Sequence, residues 1–285
     1  MTSVSTGASP SATTPAVVLT IAGSEATGGA GAQADLKTFQ ELGVFGIANL
    51  TCIVSFDPKD NWNHRFVPVD QQVIADQLEA TAAAYGPASG APSVLDTVKI
   101  GMLGSPATIR TVAGSLKAND FGNVVLDPVL ICKGQEPGHA LDTDQALKAE
   151  ILPLATFVTP NHFEAESLSG SEITDVESLK AAAVRIHELS GAAVLAKGGV
   201  RLEGPDAVDV FFDGETLEVL SAPKVGEVAV SGAGCSLAAA VTAELAKGAT
   251  PLEAARTAKA FVTEGIRNRV ASGAPFDALW QGGAR

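Results

Sequence analysis

Ser231-Gly232-Ala233-Gly234-Cys235-Ser236 runs directly into Leu237-Ala238-Ala239-Ala240-Val241. Small, flexible residues give way to an Ala-rich apolar run, with Leu237, Val241 and Leu245 at helical spacing. The stretch reads as a glycine loop opening a buried helix. The first N–H groups of such a helix have no partner within it, and the positive end of its dipole lies behind them. That end is a ready anion site. Cys235 stands there, and two readings of it are open. Free cysteines are commonly small buried hydrophobes. A helix N-terminus also lowers a thiol's pKa, and the favoured thiolate could take a proton from a substrate alcohol.

Working outward, β-branched and apolar runs at Val17–Ile21, Ile47–Val54, Asp96–Ile100, Val124–Leu126, Ala155–Val158 and Ala193–Ala196 read as strands. Helical patterns lie between them, from Gln33 to Leu42 and from Gln71 to Ala84. Ser105-Pro106 supplies a helix cap and first-turn proline, and capping boxes are read at Thr174–Glu177 and Thr250–Glu253. Val208–Phe212 and Leu217–Leu220 form a hairpin about Asp213-Gly214. This alternation predicts an α/β domain with a largely parallel sheet and helices on both faces. Phe56–His64 and Cys132–His139 read as loops, the second with glycines that suit a lid. The tail beyond Val270 is weakly patterned.

A second glycine stretch, Ser24 to Gly31, follows the first strand. A Walker loop would need Gly-Lys-Ser/Thr where the chain has Gly28-Gly29-Ala30, and a dinucleotide fingerprint would need glycine at Ala34. Neither fits, so on physics alone this stretch reads as a tight turn rather than a ligand loop.

The 285 residues are 46% hydrophobic, which suits one large domain, expected over 16–285. Residues 1–15 are rich in Ser, Thr, Ala and Pro and read as a disordered tail, with neither basic start nor apolar core of a secretory signal. A net charge of −13 argues against nucleic-acid or anionic-membrane partners, though a helix terminus can still hold a small anion. No apolar run has the length of a membrane span. Cys52, Cys132 and Cys235 show no zinc pattern, and reduced thiols in a cytoplasmic protein are expected.

The four histidines, His64, His139, His162 and His187, show no metal spacing, and no nucleophile elbow is present. What remains are polar residues at strand ends: Asp127, Asn161 with Glu164, and Lys197. In open parallel sheets, ligands bind outside the carboxyl ends of strands. Asn161 and Glu164, three apart at a helix start, either face one spot or simply cap the helix. Carboxylates for a magnesium–phosphate unit plus an N–H cradle suit phosphoryl transfer, which is mostly positioning and charge stabilisation.

Taken in order, Thr20-Ile21-Ala22-Gly23-Ser24, Gly28-Gly29-Ala30-Gly31 with Gln33-Ala34-Asp35-Leu36-Lys37, Lys99-Ile100-Gly101-Met102-Leu103, Asp127-Pro128, Thr159-Pro160-Asn161 with Glu164, Lys197-Gly198-Gly199 and Gly232-Ala233-Gly234-Cys235 form a specific set. The chain thereby resembles the hydroxymethylpyrimidine kinase and pyridoxal kinase branch of the ribokinase-like family, over roughly Val17 to Val270. Asp57-Pro58, Asn61 to His64 and Cys132-Lys133-Gly134 resemble its dual-cysteine pyridoxal kinases in particular. The resemblance implies Cys235 as catalytic base and Cys132 as a lid cysteine able to add to the aldehyde of pyridoxal. Gly232, Ala233 and Gly234 would form the anion hole. Asn161 and Glu164 would serve the Mg–ATP phosphates, with Asp127 and Glu164 as metal-side carboxylates. Lys197, Gly198, Gly199, Asp209 and Ala239 would line the nucleotide pocket, and Ser24, Phe56 and Met102 would surround the substrate ring.

The implied reaction is phosphorylation of the 5′-hydroxymethyl group of pyridoxal, pyridoxine or pyridoxamine, with ATP and Mg2+ as cofactors and a homodimer as the expected assembly. The alternatives are a hydroxymethylpyrimidine or phosphomethylpyrimidine kinase of thiamine biosynthesis and a non-catalytic vitamer-binding protein. Glu25, Ser231 and Phe56 depart from the branch's usual Asp, His and Gln or Met. A phenylalanine at position 56 leans toward a pyridine substrate.

Overall fold

A computed structural model describes residues 14–91, 93–129 and 137–284. Residues 1–13 of the expected tail, and Cys132, lie outside the described residues. Nine strands form one sheet in the order β3-β2-β1-β4-β5-β6-β7-β8-β9. The parallel run is β2 (Phe45–Asp57), β1 (Val17–Glu25), β4 (Leu95–Ile100), β5 (Asn123–Leu126), β6 (Phe157–Val158) and β7 (Ala193–Lys197). Antiparallel β3 (Asn63–Pro68) closes one side, and β8 (Asp206–Phe212) with β9 (Leu217–Pro223) closes the other.

Strand alternation divides the core. On β1, Val17, Leu19 and Ile21 face one apolar layer while Val18 faces the other. On β7, Val194 and Ala196 join the first layer, and Ala193 and Leu195 the second. The first layer is covered by α2 (Gln71–Tyr85), α3 (Pro106–Asn119), α4 (Pro137–Glu150), α5 (His162–Ser169) and α6 (Val176–Ser190). The second is covered by α1 (Gly31–Glu41), α7 (Ala233–Ala246) and α8 (Pro251–Arg267). Helix α7 lies between α1 and α8, so Ala238, Ala239, Ala240 and Ala243 are all buried, and their small side chains let both neighbours approach. The expected α/β sheet with helices on both faces is therefore present.

Three local expectations need correction. Phe56–His64 is not an irregular loop: Phe56 pairs with His64 and Asp57 with Asn63 across a β2–β3 hairpin. Its tip places Asn61 and Trp62 at φ 47° and 58°, conformations that residue patterning does not advertise. Pro137–His139, expected in the second loop, are the first residues of α4, and 132–136 lie outside the described residues. The cap of α6 is Asp175 with Ser178, one residue beyond the expected Thr174–Glu177 box, because Asp175 is the residue whose side chain reaches the third free amide.

Chain order reverses at β1, which lies between β2 and β4, and this is where open α/β sheets bind ligands. Glu25, Asp127, Asn161 and Lys197 all stand at the carboxyl ends of the parallel strands or just beyond them.

Candidate active site

Helix α7 begins at the same edge. Its cap, Gly232, has φ 77°, and a Cβ there would run into the Gly29 carbonyl oxygen, so both conformation and space require glycine. No side chain caps this helix, its first turn carries no acid, and no acceptor among the described residues takes the Gly234 or Cys235 amide. The N-terminal amides are open, as an anion cradle requires. A Cβ at Gly234 would sit 3.6 Å from Lys197 Nζ, which places that ammonium over the cradle.

Lys197 Nζ is 3.3 Å from Asp127 Oδ1, and the Thr159 hydroxyl donates to the same oxygen at 3.3 Å. Burial works against the Lys197 charge, but Asp127 and Glu164 overcome it and hold the amine above its ordinary range. Asn161 and Glu164 form a reciprocal capping box on α5. The Glu164 amide donates to Asn161 Oδ1 at 3.0 Å, and the Asn161 amide donates to Glu164 Oε2 at 2.8 Å. The capping alternative is thus realised, while Glu164 also faces Lys197 and Asp127. Burial, aided by Asp127, pushes its carboxyl up to about 8 against the pull of Lys197.

At Cys235, burial pushes the thiol up to about 11, with Lys99 pulling the other way. The residue is only half-buried, yet its sulfur is enclosed enough for desolvation to be the largest influence on it.

Of the expected nucleotide-side residues, Gly198 is packed so closely that a Cβ would meet Leu202 and the Val208 carbonyl, and Gly199 has φ 58°. Asp209 pairs with Lys259 Nζ at 2.7 Å, so its carboxylate is already engaged from α8. Ala239 does not line the site. Its methyl is buried with Val18, Phe39 and Ala243, because it points from α7 into the core.

On the substrate side, Ser24 Oγ accepts from Gln33 Nε2 at 2.7 Å. Met102 Sδ lies 3.7 Å from Cys52 Sγ. Phe56 belongs to an aromatic group unforeseen in full: His64 at 4.7 Å, Phe276 at 5.1 Å and Trp62 at 6.4 Å between ring centres. Phe276 comes from the weakly patterned tail, which is tied down where Leu279 donates to the Ser231 carbonyl and Ser231 to that of Asp277. Ser231 accordingly has a role in docking this segment beside Gly29. Tail docking is a long-range event that no local periodicity announces.

An open helix terminus, a cation over it, strand-end carboxylates and a thiol at the first turn define a phosphotransfer site of the open α/β type. Residues 25–279 match the phosphomethylpyrimidine kinase family, and the chain belongs to that family. It is 46% identical to the pyridoxine kinase of Bacillus subtilis, over 87% of this chain and 89% of that protein. It is 36% identical to the hydroxymethylpyrimidine/phosphomethylpyrimidine kinase of the same organism, over 90% of each. The solved structure of Staphylococcus aureus pyridoxal kinase in complex with AMP-PCP and pyridoxal superposes with a TM-score of 0.84 at 37% identity, covering 94% of each chain.

Proposed function

We propose that this chain transfers the γ-phosphoryl group of ATP to the 5′-hydroxymethyl group of pyridoxal, pyridoxine or pyridoxamine. The observation that carries the reading is the open α7 terminus, with Cys235 in its first turn and Lys197 over it. Higher identity to the pyridoxine kinase than to the hydroxymethylpyrimidine kinase favours the pyridine acceptor. So does the aromatic group around Phe56, which offers faces to a ring and no amide to an aminopyrimidine.

When bound, ATP would supply the phosphoryl group and Mg2+ would neutralise charge on its oxygens. Asp127 and Glu164 are hard oxygen donors that suit that ion, which needs only one or two protein carboxylates. Glu164 supports this reading: it is a buried carboxyl that faces Asp127, with Lys197 as the neighbouring cation. The amides of Gly234 and Cys235 and the Lys197 ammonium receive the charge that develops on the transferring group. The Cys235 sulfur takes the acceptor's hydroxyl proton as its oxygen bonds to phosphorus. A homodimer fits the exposed apolar side chains Phe45, Ile53 and Val67 on the β2–β3 edge, to be checked by sedimentation.

ATP turnover measured in parallel with pyridoxal, pyridoxine and hydroxymethylpyrimidine tests the reading. Turnover with the two pyridines is expected. Turnover with hydroxymethylpyrimidine alone would sink it, and binding without turnover would favour the vitamer-binding protein.

A further inference from the structure

Lys99 lies on β4 with no exposed surface, and its Nζ reaches Asp35 Oδ1 at 2.9 Å and Oδ2 at 2.8 Å. Asp35, on α1, is equally inaccessible, and the Thr20 hydroxyl of β1 donates to its Oδ2 at 2.6 Å. Three hydrogen bonds to one carboxylate fit an ion pair. Burial lifts the Asp35 carboxyl, and Lys99 and Thr20 oppose that lift. Burial likewise works against the Lys99 ammonium, but Asp35, Cys235 and Asp127 hold it well above the ordinary lysine range.

Such a pair is costly: desolvating two charges often outweighs their attraction, and apolar residues would pack the space more simply. Its surroundings suggest a use. Helices α1 and α7 lie side by side, and α7 rests on β1 and β4. The start of α7 meets the start of α1, where Gly232 fits against Gly29 and Ala30, and Thr20, Asp35 and Lys99 lie on the three elements against which α7 packs. A Cβ at Gly101 would come within 3.2 Å of Lys99 Nζ, so the glycine leaves the ammonium its room. The charged groups acting on Cys235 are Lys99 from β4, Asp35 from α1 and Asp127 beyond β5. Lys99 is the cation among them, and the Gly31 amide at the start of α1 pulls weakly in the same direction.

We propose that the Lys99–Asp35 pair is a positioning unit for Cys235, in which the ammonium, aimed by Asp35, balances the negative charge the sulfur carries once its proton has left. This rests on the reading of Cys235 as base. The thiol proton leaves to solvent, and the acceptor's hydroxyl proton then returns to the sulfur during transfer.

The test is the rate of Cys235 alkylation by iodoacetamide, read peptide by peptide by mass spectrometry so that Cys52 and Cys132 do not interfere, alongside steady-state kinetics. Lys99→Met is expected to slow alkylation about tenfold, and Asp35→Asn, which leaves the ammonium facing the sulfur alone, to quicken it. Lys99→Met should also lower kcat about tenfold or more with little change in the KM for ATP. Should Lys99→Met fail to fold, Lys99→Met/Asp35→Asn removes both charges together, and its alkylation should also be slow. Unchanged alkylation, both single variants slowed, or a loss confined to KM would overturn the proposal. Activity surviving in Cys235→Ala would overturn the base reading separately, while opposite alkylation shifts would still uphold the coupling of Lys99 to Cys235.

Discussion

The two glycine loops at the sheet's carboxyl edge are built alike and used differently. Each leads into a helix without a side-chain cap and without an acid in its first turn. In the first loop the Glu25 carboxylate turns back and accepts from the amides of Thr27 at 2.7 Å, Gly29 at 3.0 Å and Ala30 at 3.1 Å, and from the Thr27 hydroxyl at 2.8 Å. That loop carries its own anion. The second has none among the described residues, and Lys197 over Gly234 adds to its appetite for one. A glycine loop before a helix thus identifies a cradle only when no nearby carboxylate fills it. The two are also one structure, since the Gly232 turn fits against the Gly29 carbonyl.

On the proposed function the second loop carries the chemistry, and the strongest test of that difference is Cys235→Ala. Loss of a general base costs about 10²–10⁴ in rate. Turnover should fall by that factor, with nucleotide affinity measured by calorimetry nearly unchanged. Retained activity would remove the chemical distinction between the loops. A sharper test turns the second loop into the first. Gly234→Asp has space, because a Cβ there makes ordinary contact with Lys197 Nζ at 3.6 Å. The new carboxylate would pair with Lys197 and occupy the cradle. ATP binding is expected to weaken about 100-fold, the size of a coupling between close charges, while thermal stability holds or rises. Unaltered ATP affinity would mean that the α7 terminus is not where phosphate sits.

The reverse change belongs in the first loop. Glu25→Gln keeps the shape but gives up a charged acceptor serving three amides and a hydroxyl. Unfolding in urea should show a loss of about 1–3 kcal/mol. A variant as stable as the parent would show that the first loop does not depend on its internal anion.

Much of this site was legible because strand-end polar residues interrupt apolar runs. Asp127 and Lys197 were marked that way, and the second loop by the apolar helix behind it. What stayed hidden depended on distance along the chain. Lys99 looks like an ordinary polar residue in a strand until Asp35, 64 residues away, is found against it. Glu25 gave no sign of filling its own loop, because a carboxylate five residues before Ala30 can point anywhere. Phe276 joined Phe56 through a tail anchored by backbone bonds to Ser231 and Val270. Ala239 was expected at the nucleotide and lies in the core, since a motif position carries no information on which helix face it occupies.

A last expected effect concerns Asp127 and Glu164, the carboxylates proposed to serve the metal, where the first loop again offers the contrast of an acid fully served by donors. Glu164 has a folded pKa of about 8 against an ordinary 4.5, raised by burial and by Asp127. The native state therefore binds this proton more tightly than the unfolded chain does. The stability it contributes is present in full below about pH 4.5 and is lost as pH rises through about 8. Mg2+ added in the absence of nucleotide should reverse the trend, stabilising more at the alkaline end, where the carboxylate is free to bind it. In a chain of this size about 1 kcal/mol moves Tm by roughly 2–4 °C, so melting curves across that range, with and without Mg2+, resolve the effect. Glu164→Gln should flatten the pH dependence and remove most of the magnesium response. A response to magnesium that survives in Glu164→Gln would place the ion elsewhere and leave this carboxyl to its role in capping α5.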